Sequence, residues 1–127
     1  MGAYVFQDEE LPSGFRFPAS YLSGVSKIPI PYPEPWWYLS EFPEQAKWWL
    51  RQLKQMYSQR SLVPFAKYDT YDDIACFDGR DTTGDPMIQL VHYGATPGWE
   101  DRGRLQNFEA WLQRAQSDTK EWHSDAG

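Results

Sequence analysis

The amino-acid sequence predicts an α+β fold: a single domain in which a twisted, mostly antiparallel sheet packs against helices. Apolar side chains recur at helical spacing between Ala46 and Tyr57, and three strand-like runs lie between Leu62 and Tyr93. The links between those runs are too short for parallel crossovers, so we expect antiparallel neighbours. A chain of 127 residues is long enough for one such domain to bury its own core.

The front of the chain predicts a flexible arm followed by a short helix. Residues 1–14 are polar and contain Pro and Gly, which is typical of a loosely held terminus. Pro18 suits a first helical turn, where its missing N–H costs nothing. Tyr21, Leu22 and Val25 then lie three to four residues apart and form one apolar stripe.

A proline-rich connector comes next. Residues 28–35 read IPIPYPEP, and prolines at alternate positions exclude a helix or a central strand. We expect an extended segment packed on the domain, in preference to a PxxP ligand for another module. Residues 36–39 are large and predict a strand.

The surest helix follows residues 40–43, where Ser40 or Glu41 can act as the cap and Pro43 can occupy the first turn. The run 45–60 then has one apolar face, which predicts a structural amphipathic helix. Its apolar residues are Ala46, Trp49, Leu50, Leu53, Met56 and Tyr57.

The next part of the chain predicts an antiparallel meander. Its strands are residues 62–68, with Pro64 at an edge or a strand start, then 73–78 and 87–93. In the strand of residues 73–78 the apolar residues are consecutive, so apolar side chains point to both faces, and we expect both faces of the sheet to be covered. Residues 79–85 form a turn by composition.

The last part of the chain predicts a loop, a helix and a tail. Residues 94–103 have the Gly/Pro content of an irregular loop, and apolar residues from Leu105 to Ala115 indicate a closing helix. The structured domain is therefore expected over residues 15–116, with a polar tail at 117–127.

Composition limits the class of partner. The net charge of −6 argues against nucleic-acid binding and favours a basic protein partner, although solubility alone would also explain it. Cys76 is the only cysteine, so no internal disulfide or thiolate metal cluster can form. The first ten residues lack a signal-peptide pattern, and no apolar run approaches a membrane span. We expect a cytoplasmic protein without a membrane contact.

The chain shows no catalytic motif, and we expect neither an enzyme nor a cofactor. Six Asp residues lie between Asp69 and Asp85, but the spacing of a calcium loop is missing, so a solvated acidic rim is favoured over a metal site. His92 lies on a predicted strand and is interpreted as a hydrogen-bonded, partly buried histidine. Cys76 is interpreted as an inert buried thiol.

Five motifs in order resemble those of the SUKH superfamily of Smi/Knr-like proteins. They lie at residues 17–22, 62–66, 73–78, 84–93 and 108–112. The first is similar to the family's Leu-Pro and Tyr helix motif, and the next two to its Pro-Phe-Ala and Cys-Leu-Asp strands. The fourth is similar to the strand that ends in His, and the fifth to the closing Phe-Glu-x-Trp-Leu helix.

The resemblance implies a SUKH-like α+β fold without catalysis. Many bacterial relatives resemble immunity proteins that neutralise toxins, often nucleases or deaminases, exchanged between neighbouring cells, and fungal relatives are scaffolds in cell-wall signalling. The Pro- and Trp-rich residues 28–39 depart from the family pattern. The family shares no fixed interface residues, so the resemblance assigns none here.

The leading hypothesis is an immunity protein that binds and neutralises a bacterial toxin carrying a basic surface, as a nuclease must. The alternatives are a scaffold or regulatory interaction module without a toxin, and a carbohydrate-binding protein that uses the Trp-rich front. We expect a partner to contact a tryptophan surrounded by charge. The candidate partner-binding residues are Asp69, Asp72, Asp73, Asp78, Asp81, Asp85, Trp99, Glu100 and Asp101.

Overall fold

A computed structural model describes residues 4–27, 33–69 and 72–126 and has the predicted α+β class in one small domain. A five-stranded antiparallel sheet is combined with three helices. The strands are β1 (Trp36–Tyr38), β2 (Leu62–Tyr68), β3 (Asp73–Asp78), β4 (Ile88–His92) and β5 (Asp101–Leu105). The helices are α1 (Ala19–Val25), α2 (Pro43–Met56) and α3 (Phe108–Ala126), with short 3-10 turns at Asp8–Glu10 and Leu39–Glu41.

The sheet is a meander in which each strand pairs with the next one along the chain, in the order β1-β2-β3-β4-β5. Asp73 pairs with His92, and Phe77 with Ile88, so β3 and β4 form a regular antiparallel pair. The register of β2 against β3 shifts between Pro64 and Ala66. Pro64 lacks an N–H for the ladder, and the sheet accommodates it at this irregularity.

Both faces of the sheet are covered, as the alternation of β3 predicts. Ile74 and Cys76 point to one face and Ala75 and Phe77 to the other, and all four are fully buried. Helices α1 and α3 lie on the Phe77 face, and α2 covers the opposite face. Burial of this kind excludes Cys76 from solvent and raises the pKa of its thiol, as expected for an inert cysteine.

The packing on the Phe77 face is aromatic. The rings of Phe65 and Phe77 stack at 4.3 Å, and Trp111 of α3 meets Phe65 edge-to-face at 4.9 Å. Tyr21 of α1 contacts Phe77 at 5.2 Å. These rings join two strands and two helices into one core, and such pairs add about 0.5–1.5 kcal/mol each beyond the area they bury.

The fifth strand is absent from the sequence-based prediction, which assigned residues 94–103 to a loop and Leu105 to the closing helix. Residues 101–105 read DRGRL and pair with β4, while α3 begins only at Phe108. The strand is missed because it is an exposed edge with no apolar alternation. Asn107 marks the true helix start, since its Oδ1 accepts the N–H of Ala110 at 3.0 Å.

Both predicted termini are more ordered than expected. Helix α3 does not end near residue 117 but continues to Ala126, and Asp118 accepts the indole N–H of Trp36 at 3.0 Å. In the predicted arm, Phe6 is buried and the Tyr4 N–H donates to the Ser40 carbonyl at 2.9 Å. Polar composition misled the prediction here because single aromatic anchors hold otherwise polar segments.

Two further expectations concern the proline-rich connector and the absence of a membrane-spanning segment. Most of the proline-rich connector, residues 28–32, lies outside the described residues. Within the residues described, none of the helices is both long and apolar enough to cross a membrane.

Trp111 provides a test of the core. Its side chain is fully buried, and within the described structure its indole N–H has no hydrogen-bond partner. Trp111→Ala should lower the free energy of unfolding by about 3–5 kcal/mol, because it leaves a large cavity. Trp111→Phe should lose less than half as much, because a ring remains and an unpaired buried N–H is removed.

Urea denaturation followed by circular dichroism measures both changes, with the exposed Gln113→Ala on the same helix as a control expected within ±0.5 kcal/mol or so. Equal losses for the Phe and Ala variants would contradict this description of the core.

Candidate functional site

One end of the sheet collects most of the features that a binding partner could use. It is formed where β1, β3 and β5 begin and where β2 and β4 end, because Trp36 pairs with Tyr68, Asp73 with His92, and Val91 with Asp101. The loop of residues 93–100 that joins β4 to β5 lies at this end. We call this side of the molecule the Trp99 end and the loop the Trp99 loop.

Trp99 is the most exposed large apolar side chain of the described residues, with 80% of its surface accessible. The loop that carries it is nevertheless tied to the domain. The Tyr93 N–H donates to the Asp72 carbonyl at 2.9 Å, the Trp99 N–H to Thr96 at 2.8 Å, and the Tyr57 hydroxyl to Ala95 at 2.8 Å. The indole is therefore displayed on a backbone whose position the fold determines.

Glu100 is the anchor beneath Trp99. Its carboxylate is buried and accepts the Arg60 Nε–H and the Gly98 N–H, both at 2.6 Å. Burial by itself raises the pKa of Glu100, but these hydrogen bonds and the nearby guanidinium outweigh it, and the pKa lies below its ordinary value. Gly98 has φ +103°, a conformation that a side chain would strain, so the turn requires glycine there.

Asp101 also serves the loop. Its Oδ1 accepts hydrogen bonds from the Gly103 N–H and the Gln89 side chain, both at 2.8 Å, and these two bonds lower the pKa of Asp101. The Arg60 guanidinium lies 3.9 Å from its other oxygen. Gln89 is buried in the sheet, so Asp101 connects the start of β5 to the interior.

Asp73 is the third acid of the Trp99 end with a basic partner. Its Oδ1 lies 2.9 Å from the Nδ1 of His92, with which it forms a hydrogen bond, and 3.6 Å from the Nε of Arg102. His92 is half-buried and hydrogen-bonded, as the sequence predicts. Arg60 and Arg102 thus offset three of the predicted acids, which are Asp73, Glu100 and Asp101.

The remaining acids fall into two groups. Asp69 and Asp72 are exposed at the Trp99 end, whereas Asp78, Asp81 and Asp85 lie at the opposite end of the sheet. Strand β3 separates the groups by roughly 16 Å at 3.3 Å per residue. The structure therefore does not bring the predicted acids together into one surface.

The three acids of the opposite end take part in the turn between β3 and β4. Asp81 accepts the Thr83 hydroxyl at 2.6 Å and the Met87 N–H at 3.1 Å, and the Thr83 bond is the main cause of its lowered pKa. Asp78 accepts the Arg80 N–H at 3.0 Å, and Asp85 accepts the Asn107 side chain at 3.1 Å. The side chains of Asp78 and Asp81 therefore shape the turn, and that of Asp85 connects it to the start of α3.

Sequence analysis missed two exposed aromatic residues, one beside the Trp99 loop and one beside β1. Trp48 of α2 is 42% exposed and lies 6.4 Å from the ring of Tyr93, and Phe42 is 43% exposed where α2 begins. A signal for Trp48 exists in the sequence: three consecutive residues of an amphipathic helix cannot all face the core, and Trp49 and Leu50 take the buried positions.

The site offers apolar surface and carboxylate oxygens, but the described residues contain no group of three or more His, Cys, Asp or Glu that could hold a metal ion. This chemistry suits contact with another molecule. Comparison with protein-family models, with curated proteins and with solved structures returned no match. The resemblance to the SUKH superfamily therefore stays a prediction.

The pH dependence of stability tests the anchor. Because the pKa of Glu100 is lowered on folding, its carboxylate stabilises the protein above its ordinary pKa of 4.5, and this contribution disappears as the pH falls through the folded-state value. Glu100→Gln should lower the free energy of unfolding by about 1–3 kcal/mol at pH 7 and by less at pH 3.

Denaturant unfolding at the two pH values measures the difference, and Glu121→Gln, an exposed acid on α3, is the control with the same charge change. A Glu100→Gln loss of the same size at both pH values would show that the ionised carboxylate is not the anchor.

Proposed function

We propose that this protein is a non-catalytic binding protein whose Trp99 end docks on a basic protein partner. The observation that carries the proposal is the exposed indole of Trp99 on a loop fixed by the ion pair of Arg60 with the buried Glu100. Exposing a tryptophan to water is unfavourable, and an ordered loop presents it without the entropic cost of freezing a mobile one. Tryptophan is also among the residues most enriched in interface hot spots.

The charge of the molecule supports a basic partner. The chain has a net charge of −6, and Asp69 and Asp72 are exposed on the same end as Trp99. A negative field speeds encounter with a cationic surface and acts mainly on the association rate. Contact through Trp99 would then act mainly on the dissociation rate, because most affinity differences between related complexes arise there.

We propose further that the partner is a bacterial toxin and that the protein is its immunity protein, acting in the cytoplasm. The support is the SUKH-like order of motifs together with the acidic surface. A nuclease toxin needs a cationic surface to hold nucleic acid, and an acidic protein bound there would occlude it.

The experiment is co-expression with the product of the adjacent gene. Lethality of that product alone and survival with this chain present would support the immunity function. Survival without this chain, together with recovery of a housekeeping assembly in a pull-down, would favour the scaffold alternative.

Trp99→Ala should weaken binding to the adjacent gene product about 30-fold or more, the change in Kd that corresponds to loss of a hot-spot residue of about 2 kcal/mol. Biolayer interferometry measures the affinity. Leu22→Ala, which truncates a 40% exposed side chain on α1, is the matched control and should leave the Kd unchanged. Since Trp99 is exposed, its replacement should not alter the unfolding midpoint. Wild-type affinity in the Trp99 variant would rule out the loop as the anchor.

The two groups of acids allow a charge-matched comparison. The double variant Asp69→Asn with Asp72→Asn should slow association with the same partner about threefold or more at low salt, because it neutralises the Trp99 end. Asp78→Asn with Asp85→Asn removes the same charge at the opposite end, retains an acceptor oxygen at each position, and should have the smaller effect. Equal slowing by both pairs would mean that net charge, not its position, guides the encounter.

A further inference from the structure

A second feature of the Trp99 end is a pocket beside β1, the edge strand of the sheet. Its volume is about 340 Å³, within the range of small-ligand sites. Four aromatic side chains line it: Trp36, Trp37, Phe42 and Trp122. We call it the β1 pocket. Two of these residues come from β1, one from the start of α2 and one from the end of α3, so only the folded chain assembles them.

Three of the aromatic walls, Trp36, Trp37 and Phe42, are held by contacts with the rest of the domain or with one another. Trp36 is buried, donates its indole N–H to Asp118 at 3.0 Å and meets the ring of Trp111 at 5.6 Å. The rings of Trp37 and Phe42 are edge-to-face at 5.2 Å. A ligand would therefore meet a surface that is already shaped, which limits the cost of ordering it.

Three carboxylates complete the lining: Glu34, Glu41 and Asp69. All three are exposed, and the described lining contains no Lys, Arg or His. The Asp69 N–H donates to the Pro35 carbonyl at 2.9 Å, so the end of β2 is fastened to the segment before β1. Carboxylates beside aromatic rings make the pocket attractive to positive charge.

The composition of the lining distinguishes between classes of ligand. An anion would be repelled by three carboxylates, and a bare metal ion would gain nothing from indole walls. A sugar would use the aromatic faces and could donate its hydroxyls to the carboxylates, but as a neutral molecule it would not make use of the negative charge of the lining. An organic cation satisfies both parts of the lining, with its apolar surface on the rings and its charge near the carboxylates.

We propose that the β1 pocket binds an arginine or lysine side chain presented by a basic segment of a protein. The planar guanidinium stacks on an indole face and pairs with a carboxylate at the same time, which makes arginine the better fit. The proposal for this site depends on the residues that line the β1 pocket and does not require contact through Trp99. It adds to the proposed function a specific chemistry for the partner.

The probe is an acetylated and amidated pentapeptide, Gly-Arg-Gly-Arg-Gly, compared with the same peptide carrying citrulline in place of arginine. Citrulline keeps the shape of the side chain but has no charge. Isothermal titration calorimetry should show the arginine peptide binding about tenfold more tightly, in line with the strength of a partly desolvated cation–π contact. Equal binding of the two peptides would overturn the proposal.

Variants place the binding in the pocket. Glu41→Gln and Trp122→Leu should each weaken the arginine peptide about threefold or more. Glu44→Gln makes the same charge change on an exposed residue outside the lining and should leave the affinity unchanged. The far-ultraviolet circular dichroism and unfolding midpoint of each variant verify that it is folded. Wild-type affinity in folded Glu41→Gln and Trp122→Leu would overturn the assignment.

Two competitors test whether the pocket prefers a small quaternary ammonium or a sugar to an arginine side chain. Tetramethylammonium should displace the arginine peptide only weakly, and tighter binding of tetramethylammonium than of the peptide would assign the pocket to a small quaternary ammonium and overturn the proposal. Displacement by a soluble glucan at lower concentration than the citrulline peptide would likewise overturn it in favour of a sugar site. Because these probes are not the adjacent gene product, the result is independent of the Trp99 measurement.

Discussion

The interaction on which the rest of the structure depends is the packing of aromatic rings around Phe77. This ring on the central strand contacts Phe15 and Tyr21 from the front of the chain, Phe65 from the neighbouring strand and Phe108 from the last helix. Segments distant in sequence therefore meet at one side chain. In a chain of 127 residues a few large rings supply much of the buried area, which leaves other aromatic residues available for the surface.

The same constraint explains the position of the candidate site. With both faces of the sheet covered by helices, the accessible parts of the strands are their ends and the β1 and β5 edges. Exposed Trp99 and the β1 pocket lie at the same end of the strands but near opposite edges of the five-stranded sheet. The spacing between neighbouring strands puts them about 19 Å apart. In an ordinary protein interface each partner buries roughly 800 Å², and a patch of that area is wide enough to include both features.

Charge acts in two different ways at this end of the molecule. The pair of Arg60 with buried Glu100 and the Asp73–His92–Arg102 contacts fix the loop and the strand ends, and the charges within them largely cancel. Asp69 and Asp72 are exposed and contribute to the field seen by solvent. A count of acids along the sequence does not distinguish the ion-paired acids, which affect stability, from the exposed acids, which affect the electrostatic field around the protein.

The sequence alone determined the fold class, the existence of α2, the three central strands and the burial of Cys76, because each depends on local periodicity of apolar side chains. The predicted helical run of residues 45–60 is longer at its end than α2, which stops at Met56. Tertiary structure decided the rest. Strand β5 exists only because β4 offers an edge to pair with, and α3 extends past residue 117 to where Asp118 meets Trp36.

The site shows the same division. The sequence predicts Trp99 as a contact residue surrounded by charge, and the structure exposes it. The sequence also predicts Glu100 as a contact residue, yet Glu100 is buried and pairs with Arg60 from forty residues earlier in the chain. The β1 pocket combines side chains from β1, α2 and α3, and no spacing within the sequence encodes their meeting. Periodicity specifies which side of an element is buried, whereas packing specifies which distant side chains become neighbours.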